Sequence, residues 1–270
     1  MQPSPASPDR IRFDQPKAGL QRLSARFGGH AYDLHRHETY AVGLTIWGAQ
    51  SFHYRGSLRT SRAGQVMIIH PDEAHDGHAG VDRGFAYRML YVDPGAVSAA
   101  LEGAPPPFVP EVVAEDPVLS GLLGEAFGDF PRPLEPLAQD AIVGRLAERL
   151  AARSDGRRLR SGPAARRAVA LARDFLDSEA HRTVASEELE RLSGLDRFAL
   201  ARHFRAVHGT SPHRYQVGRR LLEAQRLIAE GMKPAEAAAT TGFADQSHLT
   251  RHFASRFGVT PGRWATLARA

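Results

Sequence analysis

Two stretches of this chain, 49 positions apart, carry one five-residue frame: Leu200-Ala201-Arg202-His203-Phe204 and Leu249-Thr250-Arg251-His252-Phe253. The same offset relates Gly209 to Gly258, Pro212 to Pro261 and Tyr215 to Trp264, while Gly194 pairs with Gly242 at 48. A repeat whose one slip falls in a turn marks a duplicated supersecondary unit. The C-terminal third must therefore fold as two copies of one local structure.

Each copy reads as helix, tight turn, helix. In the first, Ser186 is expected as the N-cap and Gly194 as the left-handed turn, with Asp196 capping the next helix, Arg197 to His208. Leu200, Phe204 and Val207 form one apolar stripe on that helix, and Phe198, Arg202 and Arg205 lie opposite. In the second, Pro234 opens a short helix and Gly242 closes it. Asp245 then caps a helix with Leu249, Phe253 and Phe257 inward and Gln246, Thr250 and Arg251 outward. Tyr215 to Glu230 is helix-forming, and Leu221, Leu222, Gln225 and Leu227-Ile228 give it a packing face between the units.

Charge divides with the repeat. Residues 153–270 hold 21 Lys and Arg against 12 Asp and Glu, whereas residues 1–152 hold 14 against 18. A basic half beside an acidic half points to one domain that meets a polyanion. The 270 residues contain no cysteine, which excludes disulfides and thiolate metal sites. Apolar runs such as Met67-Ile68-Ile69 fall far short of a membrane span, and the polar, Pro-rich stretch Met1 to Lys17 has no signal-peptide core. A soluble cytoplasmic protein with no membrane partner is expected.

Gly242-Phe243-Ala244-Asp245-Gln246-Ser247-His248-Leu249-Thr250-Arg251-His252-Phe253, followed by Phe257-Gly258-Val259-Thr260-Pro261, resembles the signature of AraC-type transcription regulators. The first unit fits through Leu200, Arg202, Phe204, Gly209, Thr210 and Pro212. The likeness spans Val184 to Trp264 and departs from the pattern at Glu190 and at Ala237-Ala238. It implies that the second helix of each unit enters successive major grooves of double-stranded promoter DNA. By matched position, Phe198 and Arg202 face bases in one groove, and Gln246, Ser247, Thr250 and Arg251 in the next. The chemistry agrees, since Arg pairs with guanine and Gln with adenine. Arg197, Arg205 and Arg256 are expected on phosphates.

From Ala25 to Asp93 the pattern changes to short strands. Tyr40, Val42, Leu44 and Ile46 alternate inward, and Gly48, Gly56 and Gly64 mark turns at intervals of eight, as in a barrel or jelly roll. His35-Arg36-His37-Glu38, with Gly64 to His75, resembles the cupin-type effector domain of the same regulators. That likeness implies a pocket for a small polar or aromatic effector, with His35, His37, Glu38, Tyr40, His75, Asp76, Tyr87 and Met89 as its candidate residues. Cupin enzymes hold metal with two such His, a Glu and a later His. Here Glu38 follows His37 directly, so neither metal nor other cofactor is expected.

Val118, Leu119, Leu122, Leu123, Ala126 and Phe127 form one helical stripe, and Leu137, Ala141, Ile142, Leu146 and Leu150 another. The resemblance gives this helical hairpin a role in homodimerisation; packing on the barrel is the simpler alternative. The expected architecture is α+β: an arm at 1–18, a cupin-like barrel with helical hairpin at 19–152, a linker at 153–167, and an all-α domain of two helix-turn-helix units joined by a helix at 168–270. The function expected is a sequence-specific transcription regulator controlled by a small-molecule effector, not an enzyme, with RNA polymerase as a further partner. A metal-dependent cupin oxygenase or isomerase leaves the duplicated units idle; a non-specific architectural DNA binder is the second alternative, which competition between promoter and random DNA separates.

Overall fold

A computed structural model describes residues 9–14, 19–155 and 161–269. The N-terminal half contains β1 (Arg10–Phe13), β2 (Leu20–Phe27), β3 (His30–His35), β4 (Tyr40–Tyr54), β5 (Ser57–Arg62), β6 (Val66–Ile69), β7 (His75–Ala79), β8 (Phe85–Val92) and β9 (Val113–Ala114). One face of the barrel runs β1-β2-β8-β4-β6-β9; the other is built from β3, β7, β4 and β5. Among the described residues these strands pair antiparallel.

The 15-residue β4 belongs to both faces, and the change of sheet falls at Gly48. There the register against β8 shifts between Thr45 and Trp47. Gly48 has φ +70°, and a Cβ on it would lie 2.0 Å from the Gly84 carbonyl oxygen. Gly48 thus serves a bulge inside a strand, not the turn its spacing suggests. The alternation expected along β4 also differs. Tyr40 and Val42 are buried beneath helices, while Ala41 faces the barrel interior with Met67 and Met89. Ile46, expected inward, is 43% exposed. A strand covered on both faces carries no single buried parity.

Helices α1 (Pro94–Ala100), α2 (Pro117–Ala126) and α3 (Pro136–Ala152) cover the outer face of the sheet. Leu119, Leu122, Leu123, Ala126 and Phe127 of one expected stripe, and Ile142, Leu146 and Leu150 of the other, pack there against Tyr40, Val42, Ile68 and Leu90. Val118 and Leu137 remain exposed. Asp116 ties α2 to α3: it caps Val118 and Leu119 through their N–H groups and accepts from Arg149 and Arg153.

The C-terminal half contains α4 (Pro163–Ser178), α5 (Ser186–Ser193), α6 (Arg197–His208), α7 (Pro212–Ala229), α8 (Pro234–Thr240), α9 (Gln246–Phe257) and α10 (Pro261–Arg269). Helix α4 begins within the stretch read as linker, because Pro163 starts it and Val169, Ala172 and Leu176 pack on α5, α6 and α7; residues 156–160 of that linker lie outside the described residues. Similarly, Arg10–Phe13 of the expected arm is a strand paired with β2. Asp196 and Asp245 cap α6 and α9 as expected. Ser186 is not the cap of α5: Ala185 holds that position, and its N–H donates to the Glu188 carboxylate at 2.9 Å. Glu190 accepts from the N–H and Nε of Arg197, fastening α5 to the start of α6.

The two halves are docked. The first helix-turn-helix unit has its own core around Leu200 and Phe204. The core of the second, including Leu249, Phe253 and Trp264, is continuous with the barrel interior. Trp264 lies 4.9 Å from the Phe13 ring, and the N–H groups of Asp33 and Arg36 donate to the carbonyls of Gly258 and Ser255.

Candidate functional site

Two surfaces matter, and the first is the outward side of α6 and α9. Arg197, Phe198, Arg202 and Arg205 are exposed along α6, and Gln246, Ser247 and Arg251 along α9, with Thr250 half-buried. Phe198, at 72% exposure, is a large apolar side chain left open to solvent. Arg197 is engaged by Glu187 and Glu190. Arg256, expected on phosphate, points the other way. It is buried and forms an ion pair with Glu38 of the barrel. Helix α7 accommodates the pair at Gly218, where a Cβ would stand 2.9 Å from the Glu38 carboxylate.

The second is a cavity of about 390 Å³ between the barrel and the helical domain, within the range of small-molecule sites. From the barrel come His35, His37 and Tyr91; from the helical domain come Arg219, Gln225 and Arg256. Leu23, Leu222, Phe257 and Trp264 make apolar wall. Gln21 donates to the Gln225 side chain at 3.3 Å across the domain boundary.

The eight residues expected to hold an effector separate into groups. His35 and His37 line the cavity, and His75 packs against both, with ring centroids 4.2 and 4.9 Å away. Glu38 stands behind Arg256 as its counter-ion. Tyr87 lies one layer deeper, sharing a 2.7 Å hydrogen bond with the hydroxyl of the cavity-lining Tyr32. Met89 fills the barrel interior beside Gly43. Tyr40 and Asp76 are not brought to the cavity. The Tyr40 side chain passes to the other face of the sheet, where its hydroxyl donates to the Pro107 carbonyl. Asp76 binds His53 on the outside of the barrel. Period-two alternation sends these two away, since each neighbours a residue that points in.

Burial dominates the electrostatics. It holds the His35 and His37 imidazoles well below their usual range and pulls His75 down to about 4. It also raises the hydroxyls of Tyr32, Tyr87 and Tyr91. Burial disfavours the Arg256 cation as well, and the adjacent Glu38 carboxylate offsets that cost. Tyr91, Thr39, Arg219 and Gln225 were not singled out for the pocket from sequence. Gln225 had a signal: it is a polar side chain inside the otherwise apolar packing face of α7.

Comparison with known proteins identifies both domains. The family model described as AraC-like ligand binding domain matches residues 17–147, and one described as helix-turn-helix domain matches residues 189–266. The chain is 26% identical over 232 residues to the uncharacterized HTH-type transcriptional regulator YbfI of Bacillus subtilis, covering 83% of this chain and 84% of that one. It is 28% identical over 102 residues to the probable transcriptional regulator LumQ of Photobacterium leiognathi, covering 37% and 41%. Its fold is similar to that of ToxT from Vibrio cholerae, with a TM-score of 0.66 at 11% identity over 93% of this chain and 99% of that chain. A ligand-binding barrel joined to two helix-turn-helix units, with regulators as its relatives, places the chain among the AraC-type transcription regulators.

Proposed function

We propose that this regulator reads double-stranded promoter DNA with α6 and α9 and is controlled by an effector bound in the cavity between its two domains. The carrying observation is that the cavity takes walls from both, with His35, His37 and Tyr91 on one side and Arg219, Gln225 and Arg256 on the other. A ligand there interacts differently with docked and undocked arrangements, and such differential affinity is what shifts a conformational equilibrium. The lining offers a small amphipathic acid an apolar wall and a polar end at Arg173, Arg219 and Arg256, where Arg219 is held by Asp177 and Arg256 by Glu38. A structure of ToxT holds a bound unsaturated fatty acid. Base contacts fall to Phe198, Arg202, Gln246, Ser247, Thr250 and Arg251, and phosphate contacts to Arg197 and Arg205. The barrel with its helices (19–152) and the helical domain act as sensor and reader, with no catalytic step. The exposure of Val118 and Leu137 supports homodimerisation through the helical hairpin, and RNA polymerase is the further partner of this reading.

Ala96→Phe tests this reading by filling the cavity from α1. Amphipathic acids are screened by thermal shift against the full chain, and footprints on the DNA upstream of its own and neighbouring genes are recorded with and without each hit. A hit is expected to alter the wild-type footprint and to have no effect on Ala96→Phe, which keeps its basal footprint. Effector responses that survive Ala96→Phe unchanged would remove the cavity from the mechanism.

A further inference from the structure

The mouth of the barrel holds three buried imidazoles, His35, His37 and His75, whose candidate ligand atoms all lie within 4.8 Å of one another. His35 and His75 face each other across the β3–β7 pair, and His37 follows two residues after His35. Each ring is fixed from behind. His35 Nδ1 contacts the Asp33 carbonyl at 2.8 Å, His37 Nδ1 that of Thr39 at 2.9 Å, and His75 Nδ1 that of Glu73 at 3.0 Å. A backbone carbonyl only accepts, so each Nδ1 carries the proton and each Nε2 keeps its lone pair. His37 Nε2 is buried with no hydrogen-bond partner among the described residues. Three donor lone pairs gathered this closely, each ring oriented by a carbonyl, repeat the outer-shell arrangement of metal-bound histidines.

We propose that His35, His37 and His75 bind one divalent first-row transition ion, with an open coordination position facing the interdomain cavity. Three neutral nitrogens with no carboxylate among them suit zinc, copper or nickel rather than magnesium or calcium. Bonds of about 2.0–2.1 Å put two tetrahedral nitrogens roughly 3.4 Å apart. The widest separation therefore closes by at most about 1.5 Å, within reach of small ring rotations. Glu38, the residue whose place in sequence argued against a metal, is not required: it serves Arg256, and the ion pair limits the repulsion that Arg256 would otherwise exert on a bound cation. The binding itself does not depend on any effector.

The full chain, stripped with a chelator, is titrated with Zn(II) against a chromophoric competitor and with Co(II) followed by visible absorption. One equivalent of zinc is expected, with micromolar or tighter affinity, and Co(II) bands of a nitrogen-rich four- or five-coordinate site. His37→Ala and the gentler His75→Gln should each weaken zinc at least about tenfold, with folding checked by circular dichroism. His53→Ala, on the exposed outside of the barrel, should leave it unchanged. Wild-type protein that takes up less than a tenth of an equivalent, or affinity that survives both core variants, overturns the site. Because cobalt spectra are read on wild-type protein, a variant that fails to fold does not spare the proposal.

Discussion

Removing one partner of the Glu38–Arg256 pair tests whether this buried contact holds the two domains together. The side chains are 18% and 7% exposed, so the pair is neither in bulk water nor fully dry. For a generic ion pair about 3 Å apart at an effective dielectric of about 20, the gross attraction is on the order of 5 kcal/mol, most of it cancelled by desolvation. Truncating one partner leaves the other charge buried without its counter-ion, a loss of about 3–5 kcal/mol when burial is complete. The residual exposure of Glu38 lowers the expectation to about 2–4 kcal/mol for Glu38→Gln and for Arg256→Met. The double variant leaves no orphaned charge and should cost no more than either single change, so the coupling energy is about 2 kcal/mol or more. Trp264, buried against Phe13 at the same boundary, supplies the probe. In a Trp47→Phe background it is the sole tryptophan, and its fluorescence during urea titration reports undocking. Single variants whose losses add, with coupling below about 0.5 kcal/mol, would refute the claim that this pair fastens the domains.

The two reading helices should contribute separately: Arg202→Ala weakens and relaxes recognition in one half-element and Arg251→Ala in the other, each by about 1–3 kcal/mol if the contact is bidentate to guanine, as footprinting over base-substituted sites will record. A loss uniform over all sequences assigns them to phosphate instead. Gly242→Ala should destabilise the second unit by more than about 2 kcal/mol, since φ is +79° and the new Cβ would lie 2.1 Å from the His181 carbonyl oxygen; urea unfolding compared with Gly262→Ala, where a Cβ meets open space, measures it. Burial pushes the Asp116 carboxyl up, but the Leu119 N–H and the Arg149 and Arg153 guanidiniums outweigh it and hold it below its ordinary 3.8. Its stabilisation is therefore complete above that value and is lost as pH falls through the lower folded-state value. Asp116→Asn should cost about 2–3 kcal/mol at pH 7, and its urea midpoint should approach that of wild type only as pH falls from about 3.8 through the lower folded-state value.

What the sequence alone determined is what depends on near neighbours in the chain. A cap such as Asp196 or Asp245 acts on amide groups two or three residues away, and the stripe Leu200, Phe204 is set by helical pitch. The helix-turn-helix units, the outward set on α6 and α9, and the strand texture of the barrel were legible for that reason. The faces of β4 were not, because alternation marks a buried face only where the other meets water, and helices cover one side of Tyr40 while the barrel interior covers the other. The interdomain cavity was legible only in part: His35 and His37 belong to a recognisable motif, but Arg219, Gln225 and Arg256 lie about 180 to 220 residues further on. On its own helix Arg256 reads as one more basic residue for phosphate. Only docking of the helical domain buries it against Glu38, and burial turns an exposed charge into an obligate ion pair.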